Sequence, residues 1–308
     1  MRALTYDPKS PQGLRAEEVS PPEPGASQAL VEVHATSLNF GEVAFMSEIR
    51  RPGEIPGWDA AGIVVRAAAD GSGPKEGARV AGFAPNAAWA ELRAVRTADL
   101  GVLPDAVDFE SAAALPAAGV SALRAVRALG PLVGRRVLIT GASGGVGRFA
   151  VQLAHRAGAH VIAAVGNAAR GEGLRELGAD EVVTRLDQVT SPVFGVLDNV
   201  GGAMLAEALA LVERGGSLQS IGQASREPST VDFERERRRA SGRRIDIFVV
   251  GSDFGSDIEY LASLVARREL DPQIGWRGDW ERAGEAAAAL LGRRVSGKAV
   301  LTLRKQPR

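Results

Sequence analysis

The sequence contains no cysteine, only three histidines and only two tyrosines. Without cysteine the chain cannot form a disulfide, a thiolate nucleophile or a zinc site built on cysteine ligands. The histidines are His34, His155 and His160, and the last two stand five positions apart. Ligands on one face of a helix stand about three or four positions apart. We therefore expect no metal site.

The chain also lacks an excess of either charge, because 37 basic and 37 acidic residues give a formal net charge of zero. No overall field attracts nucleic acid or an anionic membrane. The most basic run, 233–244, also contains Glu234 and Glu236 and is interpreted as a solvated helix. No apolar run reaches the roughly 18 residues of a membrane span, and the start has no apolar leader segment. We expect a cytoplasmic protein.

The first 115 residues are rich in glycine and in short apolar runs such as 30–33 and 79–82, a texture typical of a small β-barrel. Beyond Phe109, helical and continuous apolar segments alternate, which indicates a parallel sheet covered on both faces. The predicted strands are 137–140, 161–165, 181–184, 194–198, 217–221 and 245–250, and the predicted helices are 110–129, 147–157, 169–177 and 204–212. Six such strands complete a doubly wound nucleotide-binding domain.

The tail changes texture again, with amphipathic helices predicted at 257–268 and 281–291 and a strand at 299–303. We expect it to return to the first domain. The prediction is therefore an α/β protein with a Rossmann domain at 118–251 and a β-barrel domain made from 1–117 and 252–308.

The segment 137–154 reads as a strand that enters a glycine-rich turn and continues as a helix. Gly144 and Gly147 take the second and third places of a G-x-G-x-x-G motif, and Ala142 replaces the first glycine. A side chain at 144 would keep the backbone away from a pyrophosphate, and one at 147 would keep the helix off its strand. The free N–H groups of the helix then favour an anion, so we predict a dinucleotide site.

The second predicted strand points to NADPH rather than NADH. NAD enzymes usually carry an acidic residue at its end, about 20 residues beyond the glycines, to bind the ribose 2′-hydroxyl. Here no acid precedes Glu172, and Asn167 and Arg170 occupy that stretch. Arginine pairs with a 2′-phosphate, which a carboxylate would repel. Arg185, after the third strand, is a second candidate for the same corner.

Motifs along nearly the whole chain resemble one family, the zinc-free quinone oxidoreductase and enoyl reductase branch of the medium-chain dehydrogenase/reductase superfamily. They are ATSLNFGEVAF (35–45), IPGWDAAGIVV (55–65), AALPAAGVSALRAV (113–126), ITGASGGVGRFAVQLA (139–154), LRELGADEVV (174–183), DNVGG (198–202), GGSLQSIG (215–222) and GKAVLTL (297–303). The resemblance implies that the first domain is a GroES-like catalytic domain, split around the Rossmann domain.

The resemblance also bears on zinc. The zinc alcohol dehydrogenases of this superfamily carry a Cys in the first motif and a His in the second, and here those places hold Ser37-Leu38-Asn39 and Trp58-Asp59. Zinc-assisted alkoxide chemistry is then not expected, which leaves hydride transfer to a quinone or a conjugated carbonyl. Family members often dimerise through edge strands of the Rossmann sheet, and the apolar stretch 245–250 suits a homodimer.

Cofactor contacts implied by the resemblance run along both domains. Asn39 and Phe40 are expected beside the nicotinamide, and Gly144, Gly145 and Val146 at the pyrophosphate. The other implied contacts are Val120 and Ser121 near the centre of the cofactor, Asn167, Arg170 and Arg185 at the adenosine end, Asn199 and Gly222 at strand ends, Phe248, Val249 and Val250 beside the nicotinamide, and Lys298.

A catalytic donor is harder to identify. Hydride addition to an enone leaves an enolate, which needs an electrophilic donor and a proton. Asn39 is the best polar candidate, and an Asn that fixes a turn is the equal alternative. Some relatives have a Tyr after the LNF motif, but 41–48 contains none, so water is the expected proton source. Asp59 is interpreted as a structural hydrogen-bonding residue. Five apolar residues are each interpreted as core, with a pocket wall as the alternative where several converge: Phe45, Met46, Trp58, Trp89 and Trp276.

Three functions remain open from the sequence. The first is an NADPH-dependent reductase of quinones or enones, with a small apolar electrophile as substrate. The second is an enoyl-thioester reductase of fatty-acid or polyketide synthesis. The third is a non-catalytic NADPH-binding protein.

Overall fold

The computed structural model describes residues 1–10, 12–239 and 242–303. The chain folds into two compact units, the first made of Met1–Val120 with Gly251–Arg308 and the second of Ser121–Val250. Residues 240 and 241 of the basic run, and 304–308 of the predicted tail, lie outside the described residues.

The strands of the described chain, in order, are β1 (Arg2–Tyr6), β2 (Leu14–Glu18), β3 (Gln28–Leu38), β4 (Asp59–Arg66), β5 (Arg79–Phe83), β6 (Leu92–Arg96), β7 (Leu100–Val102), β8 (Arg136–Thr140), β9 (His160–Ala164), β10 (Glu181–Val183), β11 (Val193–Asp198), β12 (Val212–Ser220), β13 (Arg244–Ile247), β14 (Ile274–Asp279) and β15 (Lys298–Thr302).

The α-helices of the same residues are α1 (Phe40–Ala44), α2 (Met46–Ile49), α3 (Phe109–Ala113), α4 (Val120–Ala128), α5 (Gly145–Arg156), α6 (Gly202–Leu211), α7 (Phe233–Arg239), α8 (Gly255–Ala266) and α9 (Ala283–Leu291). Shorter 3₁₀ turns lie at Thr97–Asp99, Ala168–Gly171, Leu186–Gln188 and Trp280–Arg282, and a π-helical turn at Leu115–Gly119. In this described part of the chain, no helix has the length and apolar content needed to cross a membrane.

The first unit is built on a mostly antiparallel sheet. Its strands run in the order β14-β15-β3-β4-β5-β7, with β6 also paired to β3. The long strand β3 organises this sheet, because β4, β6 and β15 all pair with it antiparallel. The tail strand β15 therefore lies against a strand near the start of the chain. Its register sets Ala299 opposite Leu38 and brings the neighbouring Lys298 to the end of β3.

The second unit contains a parallel sheet in the order β10-β9-β8-β11-β12-β13. Every neighbouring pair in it is parallel. This is the order of a doubly wound Rossmann sheet, so the predicted fold is confirmed for this unit. The strand β8 is apolar on both faces, because Val137, Leu138 and Ile139 are all fully buried under helices.

Two predicted helices differ from the structure. The segment 169–177 is wrong as a helix, since only the short turn Ala168–Gly171 is helical there. Gly171 and Gly173 interrupt the apolar pattern, and Gly173 has φ +75°, so the glycine preference for non-helical backbone prevails. The predicted helix 110–129 is divided into α3, the π-helical turn and α4. Pro116 lies in that turn, where it cannot donate a backbone hydrogen bond.

The basic run forms the helix α7 where it is described, as expected for a solvated helix. Within it Glu236 pairs with Arg239, and its other oxygen accepts a hydrogen bond from Arg243 at 2.7 Å. Glu234 likewise pairs with Arg237, so both glutamates of the run form ion pairs with its arginines and interrupt the basic surface.

Candidate active site

The glycine turn lies between β8 and α5 in the second unit. Gly141 has φ +59°, the left-handed region that glycine adopts without strain, and its carbonyl accepts a hydrogen bond from the Gly144 amide at 3.0 Å. The helix then starts at Gly145, and no side chain of the described residues caps its first turn. Uncapped N–H groups at a helix start attract anions, so the turn fits a pyrophosphate.

Gly147 shows why the turn needs glycine one step further on. A Cβ at this position would lie 2.4 Å from the Gly141 carbonyl oxygen and 2.6 Å from the Ala142 Cα. By contrast, the nearest atom to a Cβ at Gly144 is that same carbonyl oxygen, at 3.4 Å. Packing therefore requires the glycine at 147, whereas the glycine at 144 leaves open space at the surface of the turn.

Arg170 lies directly against this turn. Its Nε donates to the Ser143 hydroxyl at 2.9 Å, and Ser143 is 3% exposed. The backbone N–H of Arg170 donates to the Asn167 side chain at 3.1 Å, so Asn167 caps the short turn that carries Arg170. The structure thus brings two predicted cofactor residues to the glycine turn. Sequence reasoning missed Ser143, although its place inside the glycine motif was the available signal.

Arg185 is in a different situation. Its guanidinium forms an ion pair with Asp187, and its side chain is 74% exposed. The Asp187 partner raises the pKa of Arg185 above its ordinary value. This arginine is already engaged at the surface, whereas Arg170 is held at the turn.

Two predicted strand-end residues are neighbours. Asn199 follows β11, and its side-chain amide donates to the Thr140 carbonyl at 2.9 Å, at the end of β8. Gly222 follows β12, and a Cβ there would lie 2.9 Å from the Asn199 carbonyl oxygen. Beneath them the fully buried Asp198 accepts hydrogen bonds from Thr140 and Gly201, and burial raises the pKa of its carboxyl. The carboxyl ends of the central strands thus form one rigid edge.

The other predicted cofactor contacts lie near residues 120 and 250, where the chain passes from one unit to the other. Phe248, Val249 and Val250 follow the end of β13, and Val249 is 77% exposed. Val120 and Ser121 lie in the first turn of α4, with Val120 fully buried in the first unit and Ser121 beginning the second.

In the first unit, Asn39 and Lys298 belong to one buried polar cluster. The Lys298 Nζ, in a side chain 2% exposed, donates to the Asn39 Oδ1 at 2.6 Å and to the Leu38 carbonyl at 3.1 Å. Its third neighbour is the fully buried Asp59 carboxylate at 3.4 Å. Asp59 also accepts from Ser37 at 2.9 Å and from the Ala117 amide at 2.9 Å. The sequence interpretation of Asp59 as a structural hydrogen-bonding residue agrees with these contacts.

Glu42 closes this cluster. Its Oε1 accepts from the Asn39 backbone N–H at 2.7 Å and from the Asn39 amide at 3.2 Å. Burial, together with the nearby Asp59 charge, raises the pKa of Glu42 to about 8. Sequence reasoning missed this residue, although an acid in the apolar stretch after the LNF motif was a usable signal.

The hydrogen bonds of this cluster occupy the polar atoms of the Asn39 side chain. Its amide donates to both Asp59, at 2.9 Å, and Glu42, while its oxygen accepts from Lys298. Both amide hydrogens are therefore committed to buried carboxylates, as in an Asn that fixes a turn. The adjacent Phe40 starts α1, and its ring lies 4.9 Å from the Arg293 guanidinium.

No group of three or more His, Cys, Asp or Glu side chains that could hold a metal ion occurs within residues 1–10, 12–239 and 242–303.

Comparison with known proteins places the chain among dehydrogenases. The alcohol dehydrogenase GroES-like domain family matches residues 25–105, and the zinc-binding dehydrogenase family matches residues 145–267. Quinone oxidoreductase 1 of Escherichia coli is 30% identical over 233 residues, which cover 70% of each chain. A mycobacterial protein solved in complex with NADPH superposes with a TM-score of 0.87 at 25% identity, over 98% of this chain and 99% of that one.

A second kind of relative is much longer. The mycocerosic acid synthase-like polyketide synthase of Mycobacterium tuberculosis is 30% identical over 88% of this chain, which spans 14% of that protein's length. The GroES-like match and the Rossmann sheet confirm the predicted fold class. With its glycine turn, its LNF segment and its likeness to the E. coli enzyme over most of both chains, this protein belongs to the quinone oxidoreductase branch of the medium-chain dehydrogenase/reductase superfamily.

Proposed function

We propose that this chain is an NADPH-dependent reductase that transfers a hydride to a quinone or an α,β-unsaturated carbonyl without zinc. The observation that carries the proposal is the position of Arg170, whose guanidinium is held against Ser143 at the uncapped start of α5. A cation at this place pairs with the 2′-phosphate of NADPH. The mycobacterial relative solved with NADPH supports the same cofactor.

The residues of the second unit fit a dinucleotide. Gly144, Gly145 and Val146 would hold the pyrophosphate, because the turn offers uncapped N–H groups and, among the described residues, no side chain lies within 4 Å of a Cβ built at Gly144. Asn199 and Gly222 would line the ribose end of the site at the edge of the sheet. When bound, NADPH supplies the hydride.

The remaining implied contacts stay predictions; they are Val120, Ser121, Asn167, Arg185, Phe248, Val249 and Val250. Of these, Arg185 is expected to contribute little, because it is already paired with Asp187.

In the first unit, the buried cluster would hold Asn39 and Phe40 beside the nicotinamide. Because both amide hydrogens of Asn39 and the donors of Lys298 are committed to partners inside the protein, neither residue is free to protonate a substrate. Water then supplies the proton to the substrate, and Asn39 contributes through its position beside the nicotinamide. No thiolate or imidazole that could bind zinc occurs in Ser37-Leu38-Asn39 or Trp58-Asp59. The proposed hydride acceptor is therefore one that needs no Lewis acid.

The test is NADPH oxidation with 1,4-naphthoquinone and with trans-2-hexenal, each measured before and after dialysis against a chelator. We expect turnover that the chelator leaves unchanged. Inactivation by the chelator that added zinc reverses would contradict the zinc-free assignment. Tight NADPH binding with no turnover of either acceptor, or of an enoyl thioester, would favour the non-catalytic alternative.

The second candidate is an enoyl-thioester reductase. It is favoured by the polyketide synthase relative, 30% identical over 88% of this chain. A crotonyl thioester separates the two functions, because the first predicts a lower kcat/KM for the thioester than for the quinone and the second predicts the reverse.

We also propose that the chain forms a homodimer through β13. This strand is at the end of the sheet order, and its last residue, Ile247, is 87% exposed. Edge strands with apolar side chains favour pairing. Light scattering tests this, because Ile247→Asp should convert a dimer into a monomer. The cytoplasmic location stays a prediction of the sequence.

A further inference from the structure

Trp58 is a half-buried aromatic residue whose backbone is held on both sides by buried ionisable side chains. Its N–H donates to the Glu42 carboxylate at 2.9 Å, and its carbonyl accepts from the Arg93 guanidinium at 2.8 Å. Glu42 and Arg93 are each 1% exposed. Two buried ionisable side chains thus meet at one peptide segment, just before β4 begins.

Arg93 accounts for the rigidity of this segment. Besides Trp58, its guanidinium donates to the Ala84 carbonyl at 2.8 Å and to the Asn86 carbonyl. Burial lowers the pKa of Arg93 to about 10, which is still high enough to keep it charged near neutral pH. Burying a charge is costly unless it is hydrogen-bonded. The Nε and Nη2 atoms of Arg93 have carbonyl partners, whereas its buried Nη1 has none among the described residues. Arg93 and Glu42 therefore impose a defined position on Trp58.

The Trp58 ring lies against Gly41, the second residue of α1. A Cβ at Gly41 would lie 3.2 Å from the Trp58 Cη2 atom, so the glycine after Phe40 leaves room for the indole. The ring also belongs to an aromatic row. Phe83 lies 6.2 Å from it at an interplanar angle of 57°, and Phe83 stacks on the fully buried Phe254 at 4.3 Å. The row runs from the core to the half-buried Trp58, which lies against the residue that follows Phe40.

We propose that Trp58 determines acceptor specificity by providing the face on which a planar aromatic acceptor, a quinone, stacks. This inference rests on the proposed function, which locates the hydride acceptor near Asn39 and Phe40. An electron-rich indole and an electron-poor quinone ring are suited to offset stacking. An acyclic enone or enoyl thioester has no ring to stack, so Trp58 favours the quinone over the thioester. Glu42 and Arg93 are positioning residues that act through Trp58.

The test compares Trp58→Leu with Trp58→Phe, the variant that keeps an aromatic ring. For Trp58→Leu we expect the KM for 1,4-naphthoquinone to rise about tenfold, the scale of losing one aromatic stack, with less than about a twofold change for trans-2-hexenal. Trp58→Phe should restore most of the quinone KM. Glu42→Met, which keeps most of the side-chain volume but removes the acceptor of the Trp58 N–H, should raise the quinone KM more than it lowers kcat.

Tyr260→Leu is the control, because it removes another aromatic residue of the first unit, 39% exposed on α8. It should leave both KM values unchanged. Equal losses for naphthoquinone and hexenal in Trp58→Leu would mean a purely structural role and would overturn the proposal, as would no loss at all.

Calorimetric titration of the enzyme alone with 1,4-naphthoquinone separates this inference from the proposed function. If the wild type fails to oxidise NADPH, the proposed function is wrong. The titration still decides the stacking, since about tenfold weaker binding to Trp58→Leu supports it and equal binding rejects it.

Discussion

The glycine turn of the second unit and the charged cluster of the first unit are built in opposite ways. The turn is formed by residues 141–147, and its shape follows from backbone conformation and from the absence of side chains. The cluster joins Asn39, Asp59 and Lys298, and the first and last of these are 259 positions apart. A turn of this kind depends on local geometry, whereas the cluster depends on strand pairing and on balanced buried charge. The two regions should therefore fail differently when they are altered.

The largest expected effect comes from unbalancing the cluster. Lys298→Met preserves most of the side-chain volume but leaves Asp59, which is fully buried, without its cation. Removing one partner of a buried ion pair typically costs about 3–5 kcal/mol. Urea unfolding should show this loss of stability. The double variant Lys298→Met/Asp59→Asn should recover part of it, and equal stability of the single variant and the wild type would show that the pair is not energetically coupled.

The next effect is a pH dependence of stability. The pKa of Glu42 is raised from 4.5 to about 8, so the folded chain holds this proton more tightly than the unfolded chain does. The free energy of unfolding should fall as the pH rises from about 4.5 to about 8, by an amount on the order of a few kcal/mol. Glu42→Gln should flatten the fall when unfolding is measured across that range.

Asp198 provides the corresponding test in the second unit, because burial also raises the pKa of its carboxyl. A slope that survives in Glu42→Gln and disappears on adding Asp198→Asn would be assigned to the second unit. A wild-type stability that instead rises throughout this pH range would refute the assignment to both carboxyls.

The glycine turn should respond to added volume rather than to charge. Gly147→Ala introduces a Cβ 2.4 Å from the Gly141 oxygen, so the turn and α5 must shift, at about 1–3 kcal/mol. Gly144→Ala is the matched control, since its Cβ would meet that oxygen at 3.4 Å. Thermal unfolding should separate the two variants. Equal losses would show that backbone freedom, not packing, governs both positions.

The smallest effect concerns cofactor choice. Arg170→Ala should weaken NADPH binding by about 1–3 kcal/mol, the value of a charge-assisted hydrogen bond, and should leave NADH binding nearly unchanged. Arg185→Ala should change neither affinity much, because Arg185 is already paired with Asp187. Fluorescence titration with both cofactors measures this. An equal loss for NADPH and NADH in Arg170→Ala would remove the 2′-phosphate assignment.

Regular elements of the second unit were accessible from the sequence because their signals are local. The strand predicted at 137–140 and the helix predicted at 147–157 match β8 and α5 to within two residues. The prediction of a helix at 169–177 was wrong because it gave more weight to the apolar spacing than to Gly171 and Gly173. The buried Leu174 in that stretch shows that an apolar period can record tertiary burial of an irregular segment.

The site residues show the same difference between local sequence signals and tertiary contacts. Arg170 was predicted from the missing acid after the second strand, but its contact with Ser143 depends on how the chain returns from β9. Arg93 was not singled out, although it occupies a buried phase of β6 together with Val95. An arginine in the alternating pattern of a strand was the signal for a buried cation.

The sequence by itself determined the parallel nucleotide-binding sheet, the glycine turn and the family, because apolar periodicity, glycine sterics and motif order are properties of neighbouring residues. Only the tertiary structure decided that Asn39 is committed to buried carboxyl groups, that Lys298 serves it as a partner and that Trp58 is held between the buried side chains of Glu42 and Arg93. The pairing of β15 with β3 brings Lys298 to Asn39. The partners of a buried charge are distant in the chain, so only the folded structure shows what role the charge has.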